Sequence, residues 1–162
     1  MFYFVKGWQH QRAIVGILRD VGLHIEAAGE AIGIPGPIVV VMPHCDPVQP
    51  DYLLIRTERT SIISVDGFVH GVPDLIAEVL SPNNPELDTV TERAAYARAG
   101  VPEYWIVRPA SRDVLVCSEP DASFSDFMNV RLFGSDSELV SPTLPARVAV
   151  ADLFEPPSTP AS

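Results

Sequence analysis

Gly71-Val72-Pro73-Asp74-Leu75-Ile76-Ala77-Glu78-Val79-Leu80-Ser81-Pro82 is the stretch on which the fold turns. Between Pro73 and Pro82 the residues from Asp74 to Leu80 are apolar apart from two carboxylates. A short apolar run fenced by turn residues reads as a strand buried on both faces. A carboxylate inside such a strand is costly unless a partner, a hydrogen-bond network or a metal compensates it. Glu78 is therefore the first residue that calls for a chemical explanation.

Upstream, Asp51-Tyr52-Leu53-Leu54-Ile55-Arg56 repeats the pattern, an apolar strand opened by an acid after Pro50. Before it, Pro37-Ile38-Val39-Val40-Val41-Met42 is a β-branched run that suits a buried strand, and Gly29 to Pro37 reads as a turn-rich connection. From Gln9 to Ala28, Ile14, Ile17, Leu18, Val21 and Ile25 recur at helical spacing, with Gly16 and Gly22 weakening the helix. Downstream, Ser81 to Pro85 forces a turn, and Asp88 to Ala99 is a helix stopped by Gly100. Glu103 to Val107 is a strand. Val114 to Cys117 and Met128 to Phe133 read as a hairpin with a long connection, followed by a short strand at Arg147 to Val150. The order is helix, three strands, helix, strand and a β-rich ending, which predicts one α/β domain over 1–155 and a disordered proline-rich tail over 156–162.

The bulk numbers are compatible with that domain. The chain has 162 residues, 47% hydrophobic and 20% charged, enough apolar material to close a core. No apolar run is long enough to span a membrane, and the opening residues lack the form of a signal peptide, so a cytoplasmic protein without membrane attachment is expected. Cys45 and Cys117 form no CxxC pair, which argues against a structural zinc site or a disulfide framework. A net charge of −10 argues against a protein that coats nucleic acid by counterion release. It leaves room for a nuclease, whose metal-binding acids add to the negative count. Lys6 is the only lysine; every other basic residue is arginine.

If the strands that carry Asp51 and Glu78 are neighbours, the two carboxylates can converge on one hard cation, which prefers oxygen ligands. Such a cation activates water and offsets charge building on a phosphate. Taken singly, Asp51 reads more plainly as a strand opener and Glu78 as the partner of an arginine. Asp74 shares a face with Glu78 but lies too far along the strand to share its ion, so it is expected to serve the strand entry. His10, His24, His44 and His70 show no ligand spacing and read as surface or packing residues. His44-Cys45-Asp46 reads as a turn, Ser81 lacks a nucleophile-elbow setting, and Tyr104 and Trp105 read as core.

The 71–82 stretch resembles the core signature of the Uma-two family of restriction-endonuclease-like proteins. Tyr96-Ala97-Arg98-Ala99-Gly100-Val101-Pro102-Glu103-Tyr104-Trp105-Ile106-Val107 is similar to its next landmark. Gln49-Pro50-Asp51 matches its earlier Pro-Asp strand, His10-Gln11-Arg12 the start of its first helix, and Ser141 to Phe154 its closing segment. The resemblance implies the restriction-endonuclease-like fold, a central mixed β-sheet flanked by helices. It also implies a metal-dependent endonuclease acting on DNA with Mg²⁺ (or Mn²⁺), the metal held by Asp51, Glu78 and the backbone carbonyl of Val79. Many nucleases of this fold act as homodimers, each subunit cutting one strand, and a homodimer is expected here.

Two departures accompany the resemblance. The superfamily's lysine two residues after the second acid is replaced by Leu80, and the position on the following helix where the family carries a lysine holds Glu92. Arg93, beside it, can stabilise charge but cannot act as a base; Glu92 can instead orient the water or the metal. The family's additional N-terminal segment has only Met1 to Trp8 as its counterpart. The alternative to an enzyme is thus a catalytically inactive member of the same fold, acting as a dimeric binding or assembly module.

Overall fold

The computed structural model describes residues 6–81 and 87–155. The first predicted helix forms as three continuous pieces: α1 (Trp8–Ile17), a π-helical turn (Leu18–Gly22) and α2 (Leu23–Ala27). Then come β1 (Ala31–Pro35), β2 (Val40–Val41), β3 (Tyr52–Arg56), β4 (Val69–His70), β5 (Leu75–Val79), α3 (Leu87–Ala99), β6 (Glu103–Arg108), β7 (Asp113–Asp121), β8 (Asp126–Phe133), β9 (Glu138–Val140) and β10 (Arg147–Ala149). A six-stranded sheet runs in the order β1-β3-β5-β6-β7-β8. Its β5–β6 pair is parallel and every other pair antiparallel. The segment containing α3 supplies the crossover that a parallel pair requires.

Alternation along the central strands sorts side chains into two cores. Tyr52, Leu54, Leu75, Ala77, Trp105 and Val107 pack on one face beneath Ala13, Ile17, Val21 and Ile25 of the N-terminal helices. Leu53, Ile55, Ile76, Tyr104 and Ile106 pack on the other against Tyr96, Ala97 and Val101 at the end of α3. With helices on both faces, β3, β5 and β6 are buried almost throughout, which explains their near-continuous apolar sequences. Among the described residues no helix is long and apolar enough to cross a membrane.

Three expectations are corrected. Ala31 to Pro35, read as turn, is the edge strand β1, paired residue for residue with β3. Its Gly33 is there for space: a Cβ on Gly33, or on Gly22 across from it, would overlap the Tyr52 hydroxyl. The run Ile38 to Met42 contributes only Val40–Val41, in a two-stranded parallel pair with β4 outside the main sheet. Val40 exchanges both backbone hydrogen bonds with Val48, so a local turn takes the pairing capacity a longer strand would have used. The hairpin β7–β8 is longer and its connection shorter than the sequence suggests, because pairing continues out to Asp121 and Asp126. The 156–162 tail and most of the Ser81 to Pro85 turn lie outside the described residues.

One buried acid ties the C-terminal segment to the sheet. Glu103, fully buried on β6, accepts hydrogen bonds from Trp105 Nε1 (2.8 Å), Ser141 Oγ (2.6 Å) and Thr143 Oγ1 (2.5 Å). Removing the carboxylate strands these donors in a dry interior. Glu103→Ala is therefore expected to cost about 3 kcal/mol, read as a lowered urea midpoint with an unchanged slope.

Candidate active site

Asp51 stands one residue ahead of β3. The β3–β5 register pairs Tyr52 with Ala77 and Leu53 with Ile76, so one further step sets Asp51 opposite Glu78. Both belong to the face shared by Leu53, Ile55 and Ile76, the α3 side of the sheet. The two side chains are hydrogen-bonded to each other. The strand neighbours and the convergence expected of the two acids are both present.

Each acid is also held from elsewhere. Asp51 Oδ2 accepts from the Val79 backbone N–H at 2.8 Å and contacts His10 Nε2 of α1 at 3.2 Å. His10 is itself buried, its Nδ1 2.8 Å from Gln11 Oε1. With an acceptor oxygen at each ring nitrogen, the imidazole is best satisfied carrying a proton on both. Burial pulls the His10 pKa down, but the hydrogen bonds to Asp51 and Gln11 and the Asp51 charge outweigh it and leave it raised. Burial pushes Asp51 up, yet the hydrogen bonds from His10 and Val79, the His10 charge and the Glu78 hydrogen bond bring it below the ordinary carboxylate value.

Glu78 goes the other way. Its Oε1 accepts from the Tyr96 hydroxyl of α3 at 2.7 Å. Burial first, then the charges of Glu92 and Asp51, raise its pKa well above the usual value, and the Tyr96 bond opposes them without prevailing. The pair is thus asymmetric: its surroundings favour the charged form of Asp51 and the neutral form of Glu78, as expected where neighbouring carboxylates disfavour double ionisation.

The remaining candidates divide. Glu92 lies on the site side of α3, where its charge acts on Glu78 more strongly than that of Asp51 does. Arg93 turns away to β8, its Nε 2.6 Å from Asp126 Oδ1. Val79 closes β5 with its amide committed to Asp51. Asp74 serves the strand entry, bridging Arg59 Nη1 at 2.9 Å and accepting from the Arg56 N–H at 2.8 Å. Sequence reading missed the role of His10, which it assigned to surface or packing, and that of Tyr96, to which it gave no role at the site; the one hint was that both fall within stretches that resemble family landmarks.

Among the described residues no group of three His, Cys, Asp or Glu side chains is placed to hold a metal ion. The chemistry of the donor set nevertheless fits a hard cation: two carboxylates in contact, with a backbone carbonyl at Val79 next to them, are all-oxygen ligands. A cation placed between the two acids would favour the charged form of both.

A mixed sheet flanked by helices, with paired acids on adjacent strands, defines a restriction-endonuclease-like fold. Residues 5–151 match the model of the Uma2 family, described as “Putative restriction endonuclease”, and the chain belongs to that family. The same architecture occurs in a crystal structure described as a putative nuclease belonging to DUF820 from Anabaena variabilis ATCC 29413. The two superpose with a TM-score of 0.71 at 15% identity, over 95% of this chain and 84% of the other. Comparison with curated proteins returned no match.

The raised Glu78 pKa has a consequence for stability. Below about pH 4.5 the carboxyl is protonated in both the folded and the unfolded chain, and its burial carries no ionisation penalty. As pH rises, the unfolded chain ionises first and the folded state loses stability through the folded pKa. In EDTA, Glu78→Gln is expected to melt several degrees above the wild type at pH 8, with the gap closing toward pH 4. A gap that does not change with pH would contradict the assignment.

Proposed function

We propose that this protein is a metal-dependent endonuclease that hydrolyses phosphodiester bonds of DNA, using Mg²⁺ or Mn²⁺ held by Asp51, Glu78 and the backbone carbonyl of Val79. The observation that carries the reading is the contact between Asp51 and Glu78, delivered by the β3–β5 register into a largely buried site. Membership of a family described as restriction endonucleases supports the same reaction class.

The cation supplies Lewis acidity, polarising a water and the scissile phosphate. The chain's own residues prepare for it. His10 and the Val79 amide fix the Asp51 carboxylate in orientation, and Tyr96 fixes that of Glu78, so little reorganisation accompanies binding. Glu92, an acceptor on the same side, is suited to orient the attacking water and take its proton. Arg93, bound to Asp126, is suited to hold α3 against β8, with its guanidinium available as an auxiliary charge. Cys45 and Cys117 are free thiols, in keeping with a cytoplasmic setting. Cleavage of both strands of a duplex is best served by a homodimer, one site for each strand. Light scattering at micromolar concentration is expected to give twice the monomer mass.

Calorimetric titration of Mg²⁺ and Mn²⁺ into the wild type and the Asp51→Ala, Glu78→Ala double variant tests the reading, with nicking of supercoiled plasmid followed in the same samples. Binding and nicking are expected in the wild type, and both are expected to vanish in the variant. If the wild type neither binds metal nor nicks, the protein is instead a non-catalytic binding module of the same fold.

A further inference from the structure

The acid pair is closed on one side and open on the other. Glu78 is buried under Tyr96 of α3, whereas the Asp51 side chain keeps 19% of its surface exposed. Asp51 opens into a cleft of ≈ 840 Å³ between α1 and the loops at 35–37 and 49–51. A volume of that order suits about one or two nucleotide units. One wall is apolar, built from Ile14, Val15 and Leu18, and Lys6 stands at the rim.

Among the described residues that line the cleft, Lys6 is the only lysine or arginine. Its charge is near enough to oppose protonation of His10, the residue that holds Asp51. Neither of the two neighbouring arginines is among the residues that line the cleft. Arg19 makes a two-pronged contact with Asp20 and also donates to the Asp152 carbonyl. Arg12 lines a separate recess with Trp8 and Arg112. On a chain of net charge −10, a phosphate entering this cleft has Lys6 to meet it. An ammonium on a flexible stem can follow a backbone phosphate without demanding a fixed geometry.

Resting on the nuclease reading above, we propose that the cleft admits a single unpaired nucleic-acid strand, with Lys6 as its phosphate-binding residue and the Ile14–Val15–Leu18 wall receiving a base. The substrate class is thereby narrowed to DNA with frayed or unwound segments. Lys6 acts on substrate placement, and the acids act on the bond.

The uniqueness of Lys6 makes the test direct. Reductive ¹³C-dimethylation of the full chain leaves the charge in place and gives one side-chain resonance, apart from the α-amino group. A short oligothymidylate, titrated in EDTA, is expected to shift that resonance saturably. In fluorescence anisotropy Lys6→Gln is expected to weaken oligothymidylate binding about tenfold and flatten its salt dependence by about 0.7 in the log–log slope, the single-strand value for one phosphate contact. Lys6→Arg should bind within about twofold of the wild type. The proposal is overturned if the oligonucleotide does not bind, if it binds without moving the Lys6 resonance, or if a blunt hairpin duplex binds more tightly. Plasmid nicking that depends on Asp51 and Glu78 while the Lys6 resonance stays silent rejects the cleft and leaves the nuclease. A responsive Lys6 without nicking rejects the nuclease and leaves a strand-binding site.

Discussion

The antiparallel register between β3 and β5 is the constraint from which the site follows. Because Tyr52 lies against Ala77, Asp51 lies against Glu78, and the two acids meet without any loop having to place them. A slip of one residue would turn every side chain of the strand to the opposite core, and a slip of two would separate the acids by about 7 Å. Neither is open to β5, which is paired antiparallel on one edge and parallel on the other. The Tyr52 hydroxyl, seated against Gly22 and Gly33, adds a steric stop on the β1 side.

Around that register the protein concentrates negative charge in a low-dielectric place and then divides the work of tolerating it. Asp51 is drawn toward its charged form by a buried histidine and a backbone amide, and Glu78 toward its neutral form by burial and by the charges of Glu92 and Asp51. The two helical layers each contribute one holding group, His10 from α1 and Tyr96 from α3. The acids are therefore clamped through both cores, and rigid-body movement of either helix would be felt at the carboxylates.

Much of this was legible in the sequence, for definable reasons. Glu78 and Asp51 interrupt strands that are otherwise apolar, and that contrast survives folding because both strands are covered on both faces. The helix over Gln9 to Ala28 and the one ending at Ala99 were visible from their periodicity and stop signals. β1 was hidden because Gly33 and Pro35 are read locally as turn residues, while the need for a small residue there comes from Tyr52, a strand away. Ile38 to Met42 misled for the converse reason: its composition favours a strand, but its partners are the short strand β4 and a local turn at Val48, not the main sheet. His10 carried no spacing signal, since its role arises from α1 crossing the start of β3, a contact spanning 41 residues.

The Glu103 network bears on the order in which the chain can be completed. Glu103 precedes Ser141 by 38 residues and Thr143 by 40, so until that distant segment docks its carboxylate has only Trp105 Nε1 among these three donors. Closure of the core around Trp105 is therefore tied to the docking of 141–143, a contact made across about a quarter of the chain.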